Sequence, residues 1–90
     1  MSGDLLASRV IPPHADDRAG RIVIGEYEAE ELVPRLAISF ESKQYVPKDN
    51  VQWVVSHPVL EDGSIRVVVF VVNYSAHDVT VNVYQDDQDR

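Results

Sequence analysis

The run at residues 67–72, Val-Val-Val-Phe-Val-Val, constrains the fold of this chain more than any other sequence feature. Successive side chains of a β-strand point to opposite faces of its sheet, so a strand here places apolar side chains on both faces. Both faces then need cover, and a chain of 90 residues offers little material for that. The run therefore predicts either two packed sheets or cover supplied by a second chain.

Alternating polarity and turn-forming residues predict further strands on either side of this run. The predicted strands cover residues 21–27, 36–41, 51–57, 65–74 and 79–84. Between the third and fourth strands, Asp62 and Gly63 favour a tight hairpin turn, because this pair supplies the positive φ values that such turns require. A second short polar connection joins the last two strands. We therefore predict that the last three strands form an antiparallel meander.

The predicted fold class is all-β: a small antiparallel β-sandwich of about five or six strands with a C-terminal three-stranded meander. Residues 1–20 contain a Pro-Pro pair that cannot lie in a central strand, and we expect an N-terminal arm that is ordered only if it docks on a neighbour. Residues 21–85 form the single β domain, and residues 86–90 an acidic disordered tail. An α+β fold is the alternative, because Glu, Ala and Leu at residues 28–33 also favour a short helix.

The net charge of −7 comes from fifteen acidic and eight basic residues. Such a chain repels phosphate backbones and anionic membranes, so we predict neither nucleic-acid nor membrane partners. It has no cysteine, which excludes disulfides and thiolate zinc sites. The sequence contains no recognisable signal peptide and no stretch apolar enough to span a membrane. If Met1 is the native start, we expect a soluble cytoplasmic protein, although a fragment of a longer precursor would look the same.

Patterns for catalysis and metal binding are weak. His14, His57 and His77 occur in a chain rich in carboxylates, but their spacing matches no metal-ligand signature. No serine lies in a Gly-x-Ser-x-Gly context, and the isolated glycines form no phosphate-binding loop. We therefore predict no enzyme activity, no cofactor and no metal, and keep a minimal metal-dependent enzyme only as a third hypothesis.

Aromatic side chains are the candidates for a contact surface. Tyr74 and Phe70 share one predicted strand face, and Trp53 and His57 share a face of another strand. Exposed aromatic residues on a flat sheet are typical of protein or carbohydrate contact surfaces. The candidate ligand or interface residues are Trp53, His57, Phe70, Tyr74 and Tyr84.

Two functional predictions follow from this pattern. The first is a non-catalytic protein-interaction or structural accessory module that self-associates as a dimer or higher oligomer, with a further protein partner as an additional option. It depends on the apolar strand faces, which one small core does not absorb. The alternative is a β-sandwich that binds carbohydrate or another small ligand through a Trp and Tyr surface.

Overall fold

The computed structural model describes residues 4–14, 19–28 and 35–86 of the chain. Within these ranges, six strands form two three-stranded antiparallel sheets, and a single 3₁₀ turn at Lys48–Asn50 precedes the fourth strand. The predicted antiparallel β-sandwich is therefore confirmed. The strands are β1 (Leu5–Ile11), β2 (Arg21–Tyr27), β3 (Leu36–Glu41), β4 (Val51–Ser56), β5 (Ile65–Asn73) and β6 (Val79–Gln85).

The two sheets have different strand orders. Sheet A has the order β1-β6-β3, and sheet B has the order β2-β5-β4. β4 and β5 form the predicted hairpin, but β6 lies between β1 and β3 in the opposite sheet. The predicted three-stranded meander is therefore wrong in its last strand, because the chain crosses from sheet B to sheet A after β5.

The N-terminal segment contains a strand that the sequence pattern did not indicate. Within residues 1–20, which we expected to form an arm, β1 pairs with β6 and is an edge strand of sheet A. The inward-facing register positions of β1, opposite buried valines of β6, hold Ala7 and Arg9 before Ile11. This strand therefore lacks the apolar alternation by which strands are recognised in a sequence.

Two other predictions concern segments that lie mostly outside the described residues. The alternative helix at residues 28–33 lies, apart from Glu28, outside the described residues. The same holds for the acidic tail at residues 86–90, of which only Asp86 is described.

The core lies between the two central strands, β5 and β6. Its buried apolar side chains are Ile11, Ile22, Val51, Val69, Val71, Val79, Val81 and Val83. Burying one such side chain contributes roughly 1.5–3 kcal/mol relative to leaving it exposed, so these inner faces hold the sheets together. One side of the sandwich brings β1 next to β2, and on the other Phe40 of β3 contacts Trp53 of β4.

The β4–β5 hairpin closes with a three-residue loop. The Leu60 N–H donates to the Ser64 carbonyl at 2.8 Å, and the Gly63 N–H donates to the Leu60 carbonyl at 2.9 Å. Gly63 has a φ of 89°, as expected where a turn is followed by one left-handed residue. The hairpin prediction is thus confirmed, with one more loop residue than the shortest turn that Asp-Gly allows.

A buried asparagine fixes the crossing from sheet B to sheet A. The Asn73 Nδ2 donates to the Ile11 carbonyl at 3.0 Å and to the His77 carbonyl at 2.8 Å. Its Oδ1 accepts from the backbone N–H of Ser75 at 3.0 Å and from the Ser75 hydroxyl at 2.7 Å. Because Asn73 is fully buried, these bonds replace all contact with water. The side chain thereby ties the end of β5 to the end of β1 and to the start of the crossing.

Candidate functional site

The outer face of sheet B carries a contiguous apolar surface, which we call the valine face. It consists of Val23, Val54, Val68, Phe70 and Val72. Cross-strand pairing aligns these side chains: Val23 lies opposite Val68, and Val54 lies opposite Phe70. Directly opposed side chains of an antiparallel pair lie on the same face and close together. The three strands therefore present one surface rather than scattered apolar residues.

The valine face is dry at its centre and exposed at its margins. Val68 is buried although it points away from the core, since it lies between Val23 of β2 and Ser56 of β4. Around it, Val54 is 61% exposed, Val23 is 46% exposed and Val72 is 39% exposed. An apolar patch on a monomer is often a functional surface, so this face is a candidate contact site.

The charges around the valine face differ from those of the chain as a whole. Among the residues of β2, β4 and β5 the only acidic one is Glu26, and it is paired with Arg66 at 2.8 Å. Arg21 lies opposite Phe70. This face thus carries two arginines and one glutamate in a chain whose net charge is −7.

The outer face of sheet A is polar. The Ser8 hydroxyl donates to Asn82 Oδ1 at 2.7 Å, and Asn82 Nδ2 donates to Glu41 Oε2 at 3.1 Å. These bonds connect β1, β6 and β3 across the full width of the sheet. This bonded centre separates the exposed apolar side chains of the face, Leu5 opposite Tyr84 and Val10 opposite Thr80, so they form no contiguous surface.

A third surface, the aromatic cleft, opens where β3 approaches β4. It has a volume of about 820 Å³ and is lined by Phe40, Tyr45 and Trp53 together with Lys43 and Lys48. The rings of Phe40 and Trp53 meet edge to face, with centroids 6.4 Å apart and planes at 71°. That geometry is the one aromatic pairs prefer, so the two rings hold each other at the floor of an open site.

The candidate residues chosen from the sequence occupy different surfaces. Trp53 lies in the aromatic cleft, and Phe70 lies half-buried in the valine face. Tyr84 lies on the outer face of sheet A, opposite Ala37. His57 and Tyr74 are exposed at opposite ends of the sandwich, just after β4 and just after β5. The structure does not bring these five side chains into one site.

The residues that complete the aromatic cleft were missed as a group. Lys43, Tyr45 and Lys48 lie in the connection between β3 and β4, which has no strand pattern. One signal was available: the chain has two lysines, and both lie within three residues of Tyr45. In an acidic chain, such clustering of lysine around an aromatic residue points to a local surface with a different charge.

One titratable group stands out by its hydrogen bonds. The Ser64 hydroxyl and the Ser64 backbone N–H donate to Asp62 Oδ1 at 2.6 and 2.9 Å and hold the pKa of that carboxyl below its ordinary value of 3.8. Asp62 lies in the exposed hairpin loop, so this effect belongs to the turn and not to a reaction site.

Two further kinds of site are absent from the described residues. In the part of the chain that the structure describes, no three His, Asp or Glu side chains gather in a group that could hold a metal ion. No helix within the described ranges is long and apolar enough to cross a membrane.

Comparison with protein-family models, with curated proteins and with solved structures found no match. The function must therefore be inferred from the arrangement of this chain's own residues.

Proposed function

We propose that this protein is a non-catalytic interaction module that self-associates through the valine face. The observation that carries the proposal is the contiguous apolar surface of sheet B, with Val54, Val23 and Val72 each more than one-third exposed. Removing apolar area from water stabilises an association by roughly 25 cal/mol per Å² before the entropic costs of binding are subtracted.

Charge favours a second copy of this chain as the occupant. Two molecules of net charge −7 repel each other over most of their surfaces. The valine face lacks the acidic excess that causes this repulsion, because it carries two arginines and one glutamate. Glu26 and Arg66 also form an exposed pair at the rim, and each can meet the opposite charge of a two-fold related copy.

The size of the valine face predicts a weak complex. Three strands about 4.8 Å apart, each contributing about six residues of ~3.3 Å, give a flat face of roughly 14 by 20 Å. Stable interfaces of standard size bury about 800 Å² on each partner, and this face is smaller. We therefore expect a dimer with a dissociation constant in the micromolar range or above.

Sedimentation velocity between about 5 and 500 μM tests the proposal, with Val54→Glu as the disruptive variant. A carboxylate on the valine face would be buried against apolar side chains without a partner, so it should weaken the dimer by more than about tenfold. Val10→Glu is the matched control: Val10 is 56% exposed, lies on an edge strand as Val54 does, and faces outward from sheet A.

The expected result is a concentration-dependent dimer for the wild type and for Val10→Glu, and a monomer for Val54→Glu with an unchanged circular dichroism spectrum. A wild type that stays monomeric throughout the range overturns the proposal. Equal dimerisation of wild type and Val54→Glu also overturns it, since the contact would then lie elsewhere.

A further inference from the structure

The aromatic cleft combines features that the valine face lacks. Both lysines of the chain line it, so the compact cationic groups of this acidic protein are gathered at one site. Glu41 also lines the cleft, but its Oε2 accepts a hydrogen bond from Asn82, which draws this carboxylate toward the outer face of sheet A. The residues that line the cleft thus carry two positive charges and one negative charge, and Asp49, next to Lys48 in the chain, is not among them.

The cleft runs along an open strand edge. It is lined by four consecutive residues of β3, residues 38–41, whose side chains alternate between the inner and outer faces of sheet A. A surface that touches both sets of side chains must follow the strand's edge. β3 is the last strand of sheet A and pairs only with β6 in the described part of the chain. Its other edge therefore presents backbone N–H and C=O groups toward the cleft.

An extended peptide is the ligand that uses all of these groups together. Its backbone can pair with the free edge of β3, as in other cases of strand addition. An apolar side chain on its inner face can pack against Phe40 and Trp53. Acidic side chains can approach Lys43 and Lys48. A small molecule in so open a cleft would leave the strand edge unused.

We infer that the aromatic cleft binds an extended acidic peptide segment of another protein, which adds a strand to β3. This site is separate from the valine face and does not depend on self-association. The two lysines of the cleft favour acidic side chains in the bound segment.

Trp53 supplies the readout, because it is the only tryptophan of the chain and lies in the cleft. The probe is a capped seven-residue peptide in which four glutamates alternate with valine, phenylalanine and valine. The matched control peptide has lysine in place of each glutamate. Titrating the full chain with the acidic peptide should shift Trp53 emission saturably, and the basic peptide should bind at least about tenfold more weakly.

Variants of the protein test the charge. Lys43→Glu with Lys48→Glu should weaken the acidic peptide by at least about tenfold, since both side chains are exposed and the fold does not depend on them. Val54→Glu should bind the peptide as the wild type does, which keeps this test independent of the proposed self-association.

N-methylation of the peptide tests strand addition. Methylating the amides along one edge of the peptide should abolish binding, and methylating those along the other edge should leave it intact, because only one edge faces β3. Equal binding of both methylated forms overturns strand addition. Equal binding of the acidic and basic peptides overturns the charge assignment. Phenylacetate binding as tightly as the peptide would also overturn the inference, since the cleft would then be a small-ligand site.

Discussion

The central strands of the two sheets, β6 and β5, differ in the polarity of their outward side chains, and the outer faces of the two sheets differ accordingly. β6 alternates Val79, Val81 and Val83 with polar or amphipathic residues, and the outward Asn82 bonds to both neighbouring strands of sheet A. β5 is apolar at almost every position, and its outward side chains form the centre of the valine face. An alternating strand indicates one buried face. A continuous apolar strand in a two-layer sandwich leaves apolar side chains on its second face, which is the surface that we propose as the contact site.

The sheets also differ in how their strands are connected. In sheet A, both pairs join strands that lie far apart in the sequence, β1 with β6 and β3 with β6. Sheet B contains one local pair, the β4–β5 hairpin. Local pairs form at low entropic cost, whereas distant pairs must close long loops. We therefore expect the stability of sheet A to depend more than that of sheet B on residues that hold distant strands together.

The largest expected effect is at Asn73, and it tests that dependence. Asn73→Ala removes the side chain that bonds the Ile11 carbonyl and the Ser75 backbone N–H, and it leaves the His77 carbonyl with the Ser75 hydroxyl alone. It should therefore lower the free energy of unfolding by about 3 kcal/mol. Asn82→Ala is the matched control, because Asn82 bonds only on the exposed outer face and should cost about 1 kcal/mol or less. Urea denaturation measures both. Equal losses would contradict a special role of the buried crossing.

An intermediate effect is expected at the centre of the valine face. Val68→Ala removes two buried methyl groups and should cost about 2 kcal/mol. Val72→Ala, on the same face and strand but 39% exposed, should cost less than about 1 kcal/mol. Both are compared by urea denaturation at low protein concentration, where the variants are monomeric. A smaller loss for Val68→Ala than for Val72→Ala would show that the outer face has no dry centre.

The smallest effect is expected in the hairpin loop of sheet B. The hydrogen bonds from Ser64 lower the pKa of Asp62 in the folded state, so the ionised carboxylate stabilises the fold above its ordinary pKa of 3.8. That stabilisation is lost as the pH falls through the lowered value. Asp62→Asn should therefore be slightly less stable than the wild type at pH 7 and equal to it at the lowest pH.

Thermal unfolding from pH 7 to about pH 2.5 measures this difference. Glu61→Gln is the control, since it removes a neighbouring negative charge without the bonds to Ser64. If Glu61→Gln and Asp62→Asn gave the same pH profile, the effect would come from net charge and not from the turn.

Local features of the fold could be predicted from the sequence. The hairpin at Gly63 and the two-sided character of β5 each depend on residues next to one another in the chain, where turn chemistry and strand alternation act directly. β1 could not be predicted this way. Its inward position at Arg9 holds a charged side chain, whose Nη1 reaches across the sandwich to donate to the Arg21 carbonyl at 2.8 Å. Because the charged end of this side chain extends out of the core, a charged residue occupies an inward position of an edge strand, and the alternation of apolar and polar residues is interrupted there.

The candidate site was predictable only in part. The sequence singled out Trp53 and Phe70 as contact residues, but it could not separate them onto different surfaces. Their separation follows from the register of β4 on β5, which turns Trp53 toward the cleft and aligns Phe70 with Val54 on the outer face. If the pairing of two strands shifts by one residue, every side chain of the shifted strand moves to the other face of the sheet. The face that a residue occupies therefore depends on the register, which the sequence pattern alone does not specify.

By itself, the sequence determined that this chain forms antiparallel strands, that β4 and β5 form a hairpin and that β5 is apolar on both faces. Only the tertiary structure decided that β6 lies in sheet A and not beside β5 in sheet B. The hydrogen bonds of the buried Asn73 hold the connection between β5 and β6 where the chain crosses from one sheet to the other. That crossing places the core on one face of β5 and leaves the other as the valine face. Strand alternation is a local property, whereas the choice of pairing partner depends on contacts between residues more than sixty positions apart, such as Asn73 and Ile11.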